Sequence, residues 1–386
     1  MYLILLLSCT NNKKNSKEQF ENYTTLAIPI IEESFATSIN IKNRNFLPLE
    51  SNEINKISSI NKILFFNSQI LLFDQQQNKI ILFNTDGKYL SQINNIGKGP
   101  NEYLYLSDFL INKTDSCIEL LDRGNQKILR IDYSNRVINE TKLTFYCDKF
   151  LKTEEGGYLF FANNQTNKIG SDSKPYNLIL TDNNASILNC FLSIPSENQE
   201  LIISESQTFV PYQTGVNFSL PIDDNIYFAN ADAIKIKYRI SFGKWNTPQN
   251  ILEPLKGNNQ GDKIQLQMKI MNKIGKAGYA YNIHSILENE SFLFFQFRKG
   301  MNVYSVIYDK KTKNVKSGVT ILMNNDADLL GQPIALNNKN QLVTVLFPYE
   351  LLDQLKTRTY PEFENLANSI DQFDNPILQF IQLSEF

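Results

Sequence analysis

The sequence predicts an all-β fold, a six-bladed β-propeller whose blades are four-stranded antiparallel sheets, with short helical insertions. Short apolar runs alternate with turn residues along almost the whole chain, and stretches with helical periodicity are few. The runs fall into six units of about 40 to 60 residues, a repeat length that favours a propeller over a solenoid. The chain has 386 residues, 42% of them hydrophobic, so it can form a large core. Residues 27–386 are therefore predicted to form one domain.

The clearest repeat unit is the first. Gly87 lies between its third and fourth runs and supplies the positive φ that a tight hairpin requires. Asp74 ends its second run, and Asp122 ends the second run of the next unit. An acid that follows a strand commonly caps the turn. The predicted strands of this unit are 63–66, 70–74, 79–83 and 89–93.

The same order of strands and turns returns five times downstream, and the sixth unit is the weakest because a helix-like stretch divides it. Each unit leaves an apolar sheet face that only a neighbouring blade can cover. Closure of the ring would remove the free edge between the first and last blades, and we expect residues 35–41 to pair with 377–383 for this purpose. The predicted strands are 109–111, 117–122, 128–132 and 137–143 in the second unit; 157–162, 176–182 and 187–192 in the third; 218–220, 225–228 and 233–242 in the fourth; 284–288, 292–297 and 302–309 in the fifth; and 333–336, 341–346 and 377–383 in the sixth.

Two stretches, 260–276 and 349–373, have helical spacing and are predicted to be insertions between strands. Their apolar positions are expected to pack on the propeller rather than face a partner. In the first stretch these positions are Ile264, Met268 and Met271. In the second they are Leu351, Leu352, Leu355, Phe363, Leu366 and Ile370.

The N-terminus has the pattern of an export signal. Residues 2–7 are apolar but too few to span a bilayer, and they end in a small residue and Cys9. Residues 6–9 resemble the bacterial lipobox, which implies cleavage before Cys9 and a lipid on its thiol. The stretch that follows is polar and suits a tether. We therefore predict a signal peptide at 1–8 and a lipidated cysteine with tether at 9–26; a short buried strand is the alternative.

The connection between the first two units reads Ile96-Gly97-Lys98-Gly99-Pro100-Asn101-Glu102-Tyr103. Together with the lipobox and the turn at 83–88, it resembles the six-bladed β-propeller lipoproteins of Bacteroidetes, relatives of the NHL-repeat propellers, with their I-G-x-G-P-x-E-Y pattern. Asn101 stands where glycine is common in that pattern. The resemblance covers almost the whole chain and implies the fold and an envelope location, but no particular ligand.

The residues of this connection have two interpretations. As a ligand site, Lys98, Glu102 and Tyr103 would offer an ammonium donor, a carboxylate and a phenol at one mouth of the propeller. As a structural device, the two glycines and the proline would fix the crossover between blades. The pattern favours the structural interpretation, and the three residues remain the predicted ligand-binding set.

The sequence contains no catalytic constellation. His284 is the only histidine and no G-x-S-x-G elbow accompanies it, so a serine triad and a histidine-rich metal site are not predicted. His284 is expected to be a half-buried strand residue. Carboxylates such as Asp74, Asp108 and Asp122 could bind Ca²⁺, but no ligand set can be assigned and no cofactor is predicted. Cys117, Cys147 and Cys190 form no C-x-x-C motif; buried free thiols are favoured, and one disulfide is the alternative.

A net charge of −2 with no obvious basic face argues against a nucleic-acid partner. The favoured function is a non-catalytic binding or scaffold lipoprotein of the cell envelope, expected to be monomeric and at the outer membrane, with a protein, peptide or glycan ligand. The alternative is a metal-dependent lactonase or lyase that acts on sugars or lactones. Gluconolactonase-like propellers hold such a metal in the central channel.

Overall fold

The computed structural model describes residues 17–167, 169, 174–203, 208–257, 260–321, 331–356 and 361–384. It confirms the predicted fold, because six separate antiparallel sheets of four core strands each form six blades. The first strands of neighbouring blades contact one another around the ring, so these strands surround the central axis. Cys9 and the predicted signal lie outside the described residues.

The strands of the first three blades follow one another along the chain without insertion. Blade one contains β4 (Lys62–Phe66), β5 (Gln69–Asp74), β6 (Lys79–Asn84) and β7 (Tyr89–Ile93); blade two contains β8 (Leu106–Asn112), β9 (Cys117–Asp122), β10 (Lys127–Ile131) and β11 (Val137–Lys142); blade three contains β12 (Lys149–Lys152), β13 (Tyr158–Phe161), β14 (Tyr176–Thr181) and β15 (Ile187–Ser193). These strands are preceded by β1 (Lys17–Gln19), β2 (Thr24–Ala27), α1 (Phe35–Ser38) and β3 (Ile41–Pro48).

The last three blades carry the helices and the ring closure. Blade four contains β16 (Phe209–Tyr212), β17 (Gly215–Phe218), β18 (Asn225–Ala229) and β19 (Ala233–Ser241); the 3₁₀ turns Gly243–Trp245 and Glu253–Leu255 and helix α2 (Gln260–Ala277) follow it. Blade five contains β20 (Ala280–Glu288), β21 (Phe292–Lys299), β22 (Asn302–Asp309) and β23 (Val315–Ile321). Blade six contains β24 (Gln332–Leu336), β25 (Leu342–Leu346) and β26 (Ile377–Leu383), with α3 (Pro348–Leu355), a 3₁₀ turn (Pro361–Phe363) and α4 (Glu364–Ala367) between its last two strands.

The ring closes through the N-terminal chain, as predicted, but through a different segment. Strand β3, rather than residues 35–41, pairs antiparallel with β26 as the fourth strand of blade six. Residues 35–38 instead form the helical turn α1, whose N-terminus is capped by the Ser34 side chain. The reason is Phe35, whose ring is fully buried against Phe294 of blade five. Burying that aromatic ring outweighs the extension of the strand.

The chain before β3 covers the outer edges of blades four and five. Strands β1 and β2 both lie parallel to β19. The Glu33 carbonyl then accepts a 2.8 Å hydrogen bond from the Val319 amide in β23. Residues 17–27, which we assigned mainly to a tether, are thus paired to the propeller. Covering edge strands in this way removes unpaired amides that could otherwise recruit another chain.

Asp74 and Asp122 end the second strand of blade one and of blade two, and both stabilise the turn that follows. Both side chains are fully buried. Asp74 accepts hydrogen bonds from the Ser58 amide (2.7 Å) and the Gln77 amide (3.0 Å), so it holds both the incoming connection and its own turn. Asp122 does the same through the amides of Tyr105 (3.1 Å) and Asn125 (3.2 Å). The two acids, which occupy the same point of their repeats in the sequence, therefore have the same structural role.

Because the strands meander, the connections alternate between the two ends of the ring. We call one end the hairpin face; its eleven connections contain two to five residues each: 67–68, 85–88, 113–116, 132–136, 153–157, 182–186, 213–214, 230–232, 289–291, 310–314 and 337–341. We call the other end the loop face; its connections are 49–61, 75–78, 94–105, 123–126, 143–148, 162–175, 194–208, 219–224, 242–279, 300–301, 322–331 and 347–376, as far as the structure describes them.

Both predicted helical insertions exist, and both belong to the loop face. In the described part of the chain, neither is long and apolar enough to cross a membrane. The expectation that their apolar residues pack on the propeller is correct for Leu351, Phe363 and Leu366, which are buried. It is wrong for Ile264 and Met268, which are 57% and 64% exposed. The inward face of α2 is formed instead by residues such as Ile270 and Ile274. The helical spacing of apolar residues in the sequence did not show that these residues face the propeller.

Candidate functional site

Tyr103 of the predicted ligand set is a structural residue. Its side chain is fully buried, and its hydroxyl lies 2.8 Å from the Asn78 carbonyl oxygen and 3.0 Å from that of Ile93. Burial raises the pKa of this phenol far above its ordinary value. Tyr103 therefore ties the turn of blade one to the crossover into blade two, and its hydroxyl is not presented to a ligand.

Glu102 also turns inward, toward its own loop. Its Oε2 accepts a 2.7 Å hydrogen bond from the Gly99 amide. A Cβ atom on Gly97 would lie only 1.9 Å from this oxygen, so the glycine provides the space for the carboxylate. Lys98 is exposed at the surface of the loop. Of the three predicted residues, only Lys98 presents its charged group fully to solvent, and ligand binding by this set stays a prediction.

The loop face differs from the hairpin face in what it exposes. Large apolar side chains stand in solvent on several of its connections, whereas none of the eleven hairpin-face connections, all of which are described, exposes one. Exposed apolar side chains gathered on one surface are typical of interaction sites. The exposed members on the loop face are Ile54, Ile96, Leu104, Tyr105, Tyr146, Ile202, Ile264, Met268, Met301, Tyr349 and Phe373.

Polar contacts hold part of the loop face in a fixed arrangement. Asp148 lies between the connections of blades two and three and accepts hydrogen bonds from Asn163 and Gln165, each 2.9 Å long. Arg123 forms a 3.1 Å ion pair with Asp148 and donates to the side-chain oxygen Oε1 of Gln165 at 3.0 Å. Three connections from different parts of the sequence are thus joined by one network. A surface built on such contacts is pre-organised for binding.

Helix α2 lies on the same face. Its buried side packs on Leu255 and Leu201, and Lys263 donates a 2.7 Å hydrogen bond to the Ser196 carbonyl oxygen. Its outward side carries the exposed pair Ile264 and Met268. Lysines flank this pair and border a shallow cavity of about 490 Å³ lined by Lys269, Asn272, Lys273, Lys276 and Ala277. The outward side of the helix therefore presents two exposed apolar residues with lysines beside them.

The first strands of blades one to three are joined by a buried ion pair. Lys62 Nζ lies 2.8 Å from Asp108 Oδ1 and also donates to the Phe109 carbonyl oxygen at 2.7 Å. The other oxygen of Asp108 accepts a 3.2 Å hydrogen bond from the Phe150 amide. Burial lowers the pKa of Lys62, and the charge of Asp108 opposes this effect. The carboxylate is fully engaged between three blades, which makes it a structural group.

The opposite side of the ring, in β20, is polar and irregular. Two register shifts interrupt its pairing with β21, and Asn282 and Ser285 adopt positive φ values of 58° and 50°. His284 lies between them, is buried, and its Nδ1 is 2.9 Å from the Asn282 carbonyl oxygen. It is a strand residue, as expected, though fully rather than half buried. Bulges in strands commonly redirect side chains near functional sites.

The acidic residues do not assemble a metal centre in the part of the chain that the structure describes, where no group of three or more His, Cys, Asp or Glu side chains converges. The lactonase or lyase alternative therefore gains no support from those residues. Asp223 and Asp224 are adjacent acids in the connection before β18. Burial raises both pKa values, that of Asp224 to about 6. Cys117, Cys147 and Cys190 are free thiols.

Sequence reasoning missed most of this surface. The exposed apolar residues are scattered over connections far apart in the chain, and only the pair Ile264 and Met268, spaced by four residues beside lysines, carried a local signal. The remaining exposed residues are brought to one face by the alternation of strands and not by any motif.

Comparison with known proteins finds one matching family and solved structures of similar fold. Residues 28–382 match the domain of unknown function DUF4934. A solved Bacteroides fragilis protein, described as "Putative exported protein", is 20% identical with a TM-score of 0.77, over 94% of this chain and 100% of that one. A member of the DUF4221 family from Bacteroides vulgatus is 10% identical with a TM-score of 0.52, over 90% of this chain and 97% of that one. No curated protein matches the chain.

Proposed function

The chain belongs to the DUF4934 family, and we propose for it a function that suits a propeller in whose sequence no catalytic motif was found. The protein is a lipid-anchored, exported binding module of the cell envelope. Its loop face takes up a protein, peptide or glycan ligand, and the protein acts as a receptor or scaffold without catalysing a reaction.

The observation that carries this proposal is the difference between the two faces. All the long connections belong to the loop face, and so do eleven exposed large apolar side chains among the residues that the structure describes. Loops positioned by a rigid scaffold are where binding residues concentrate. Apolar and aromatic anchors supply most of the energy of such contacts. Peptides and glycans can both use exposed aromatic rings of the kind that Tyr105, Tyr146, Tyr349 and Phe373 provide.

The location outside the cytoplasm rests on the N-terminus. The apolar run before Cys9 and its resemblance to a lipobox support export and lipidation. The likeness to the Bacteroides fragilis protein is compatible with export. Metabolic labelling with a palmitate analogue tests the anchor: label is expected on the wild-type protein and absent from Cys9→Ala. Equal labelling of the two proteins would refute it.

The binding proposal is tested with a matched pair of surface variants. Ile264→Glu/Met268→Glu places two charges on the loop face, and Ile138→Glu/Leu188→Glu places two charges at similarly exposed positions on outer strands. Retention of envelope proteins and glycans on the immobilised wild-type protein is measured by mass spectrometry and glycan profiling. At least a tenfold loss is expected for the first variant only.

Two outcomes would overturn the binding proposal. The first is that the immobilised protein retains nothing above a control protein. The second is that the two variants lose ligand equally, which would mean that the loop face has no special part in binding. Unchanged denaturation midpoints in both variants show that any loss is local to the surface.

A further inference from the structure

The first described residues show at which end of the ring the chain joins the propeller. Lys17 pairs with Ala233, the first residue of β19, and Ala27 pairs with Ser241, its last residue. Strand β19 leaves the hairpin-face connection 230–232 and runs toward the loop face. The parallel strands β1 and β2 run the same way. The chain before Lys17 therefore meets the hairpin-face end of blade four.

This entry point limits where a lipid on Cys9 can reach. Cys9 and Lys17 are eight Cα–Cα steps apart. Such a segment spans at most about 29 Å when fully extended. The nine residues of β19 are likewise eight Cα–Cα steps and separate the two faces by about 27 Å. Only a nearly fully extended tether could therefore reach the loop face, and any shorter path of the tether keeps the lipid on Cys9 nearer to the hairpin-face end of blade four.

The charge of the hairpin face near this point has the sign that suits an anionic surface. The connection 310–314 contains three lysines and no acid, and the neighbouring connections 230–232 and 289–291 contain one exposed acid each, Asp232 and Glu290. The connection 153–157 of blade three, by contrast, contains two glutamates and no base. Lys311, Lys313 and, on β19, Lys235 are exposed. Lysines near an anionic membrane surface are attracted to it electrostatically, and the attraction increases with their number.

The lysine-rich connection lies beside the entry point rather than across the ring. Lys310 of blade five and Lys237 of β19 bind the same buried carboxylate, Glu288, at 2.6 Å and 2.7 Å. Glu288 neutralises only one of these two ammonium groups. The Lys237 ammonium also lies 3.6 Å from the centre of the Tyr212 ring, which holds it in place. The two lysines bound to Glu288 are mostly buried, so the positive charge exposed at the point where the tether arrives is that of Lys235, Lys311 and Lys313.

We propose that a basic sector composed of the exposed residues Lys235, Lys311 and Lys313 rests on the anionic lipid headgroups of the membrane that holds the anchor. The hairpin face is then directed to the bilayer and the loop face points away from it, open to ligands. This inference rests on the lipid anchor of the proposed function. It adds an orientation and a second, electrostatic contact, since a single lipid chain gives only weak and reversible membrane binding.

The test compares two positions on the same blade. Met301 precedes β22 on the loop face and Thr312 follows it on the hairpin face, and the eight-residue strand separates them by about 27 Å. Met301→Cys and Thr312→Cys, each in a Cys190→Ser background, are labelled with a fluorophore in the full-length lipidated protein. The labelled proteins are inserted into vesicles of phosphatidylcholine with phosphatidylglycerol that carry a headgroup quencher. Quenching at position 312 is expected to exceed that at 301 several-fold.

A charge-reversal pair tests the electrostatic contact in the same assay. Lys311→Glu/Lys313→Glu is expected to remove the difference between the two labels, whereas the control Lys269→Glu/Lys273→Glu on helix α2 is expected to keep it. Stronger quenching at 301, or the same ratio in both charge variants, overturns the inference. If instead Cys9→Ala is lipidated like the wild type, the anchor itself is wrong, so the two failures are distinguishable.

Discussion

At the scale of single residues, the buried polar groups mostly hold turns and connections in place by hydrogen bonds. Asp74, Asp108 and Asp122 each receive several hydrogen bonds from the backbone or a lysine, and the Tyr103 hydroxyl ties the crossover after blade one to the turn at Asn78 and to the end of β7. A buried polar group without partners costs about 1–3 kcal/mol, so each of these contacts constrains where the chain can lie. The ring is thereby fixed at its turns, where apolar packing is weakest.

Asp224 gives the protein a pH dependence that can be measured. Its folded pKa of about 6, raised by burial and opposed by the Asn246 hydrogen bond, lies above the ordinary value of 3.8. The folded protein therefore holds this proton more tightly than the unfolded chain. The stability that it contributes is full below pH 4 and is lost as the pH rises through 6.

We expect the variant Asp224→Asn to flatten this decline, because its amide does not titrate in that range. The measurement is the urea midpoint at pH 4.5 and 7, compared with that of the wild type and of the exposed control Asp86→Asn. A wild-type-like slope in Asp224→Asn would assign the pH dependence to other groups.

Tyr103→Phe separates the structural and ligand-binding interpretations of the predicted loop. The change removes only the hydroxyl and leaves the Asn78 and Ile93 carbonyl oxygens with one donor fewer. A loss of about 1–2 kcal/mol in unfolding free energy is expected, without loss of ligand on the loop face. Lys98→Ala serves as the exposed control and should leave stability unchanged. Loss of ligand at unchanged stability would show that the hydroxyl belongs to the site.

At the scale of elements, the N-terminal chain behaves as a brace along blades four, five and six. Its contacts with blade five include the Glu32 carboxylate, which accepts a 2.6 Å hydrogen bond from the Tyr304 hydroxyl, and the Glu33 carbonyl, which is bound by β23. It then supplies β3 to blade six. One segment thus connects three blades at their outer edges, where each sheet would otherwise end in unpaired strand.

Gly318 is the position where this brace approaches the sheet most closely. A Cβ atom there would lie 2.7 Å from the Phe35 amide nitrogen and 2.9 Å from the Glu33 carbonyl oxygen, and both are backbone atoms that cannot swing aside. Gly318→Ala is expected to cost about 1–3 kcal/mol and to increase hydrogen exchange in residues 28–38.

The control for this prediction is Gly275→Ala in helix α2, where an added Cβ would have no heavy atom within 4 Å. Because alanine is the better helix former by about 1 kcal/mol, this variant should be as stable as the wild type or more so. If both variants behave alike, the close approach at Gly318 has no energetic importance.

The elements that the sequence did not predict have specific physical causes. Strand β12 has lysines at both ends, β16 contains Pro211, and β23 contains Gly318, so none shows a clean apolar alternation. All three pair because neighbouring strands already present a complementary edge. Strand β3 was misplaced by a few residues for the same reason, since its alternating polar side chains face solvent at the outside of blade six.

At the scale of the whole molecule, the ring depends on contacts between first strands around the axis. The pair Lys62 and Asp108 joins blades one and two, and Asp108 also accepts from the Phe150 amide of blade three. Removing one partner of a buried ion pair leaves an uncompensated charge, which commonly costs about 3–5 kcal/mol.

Asp108→Asn is therefore expected to destabilise the protein strongly, and Lys62→Met added to it should recover part of the loss because the unpaired ammonium is then gone. Urea unfolding of the two single variants and the double variant, treated as a double-mutant cycle, measures the coupling. Additive effects would show that the pair does not join the blades energetically.

The sequence by itself determined the class of fold and its repeat, because alternating apolar runs with turn residues can only be buried as sheets that cover one another. It also determined the acids that cap the turns. Only the tertiary structure decided which residues share a face, since the strand alternation gathers connections that are up to several hundred residues apart. For that reason the candidate ligand surface consists of the exposed apolar residues of the loop face rather than of Lys98, Glu102 and Tyr103. The tertiary structure also decided where the chain joins the ring, because pairing of β1 and β2 with β19 is a contact between segments about 200 residues apart that no local pattern encodes.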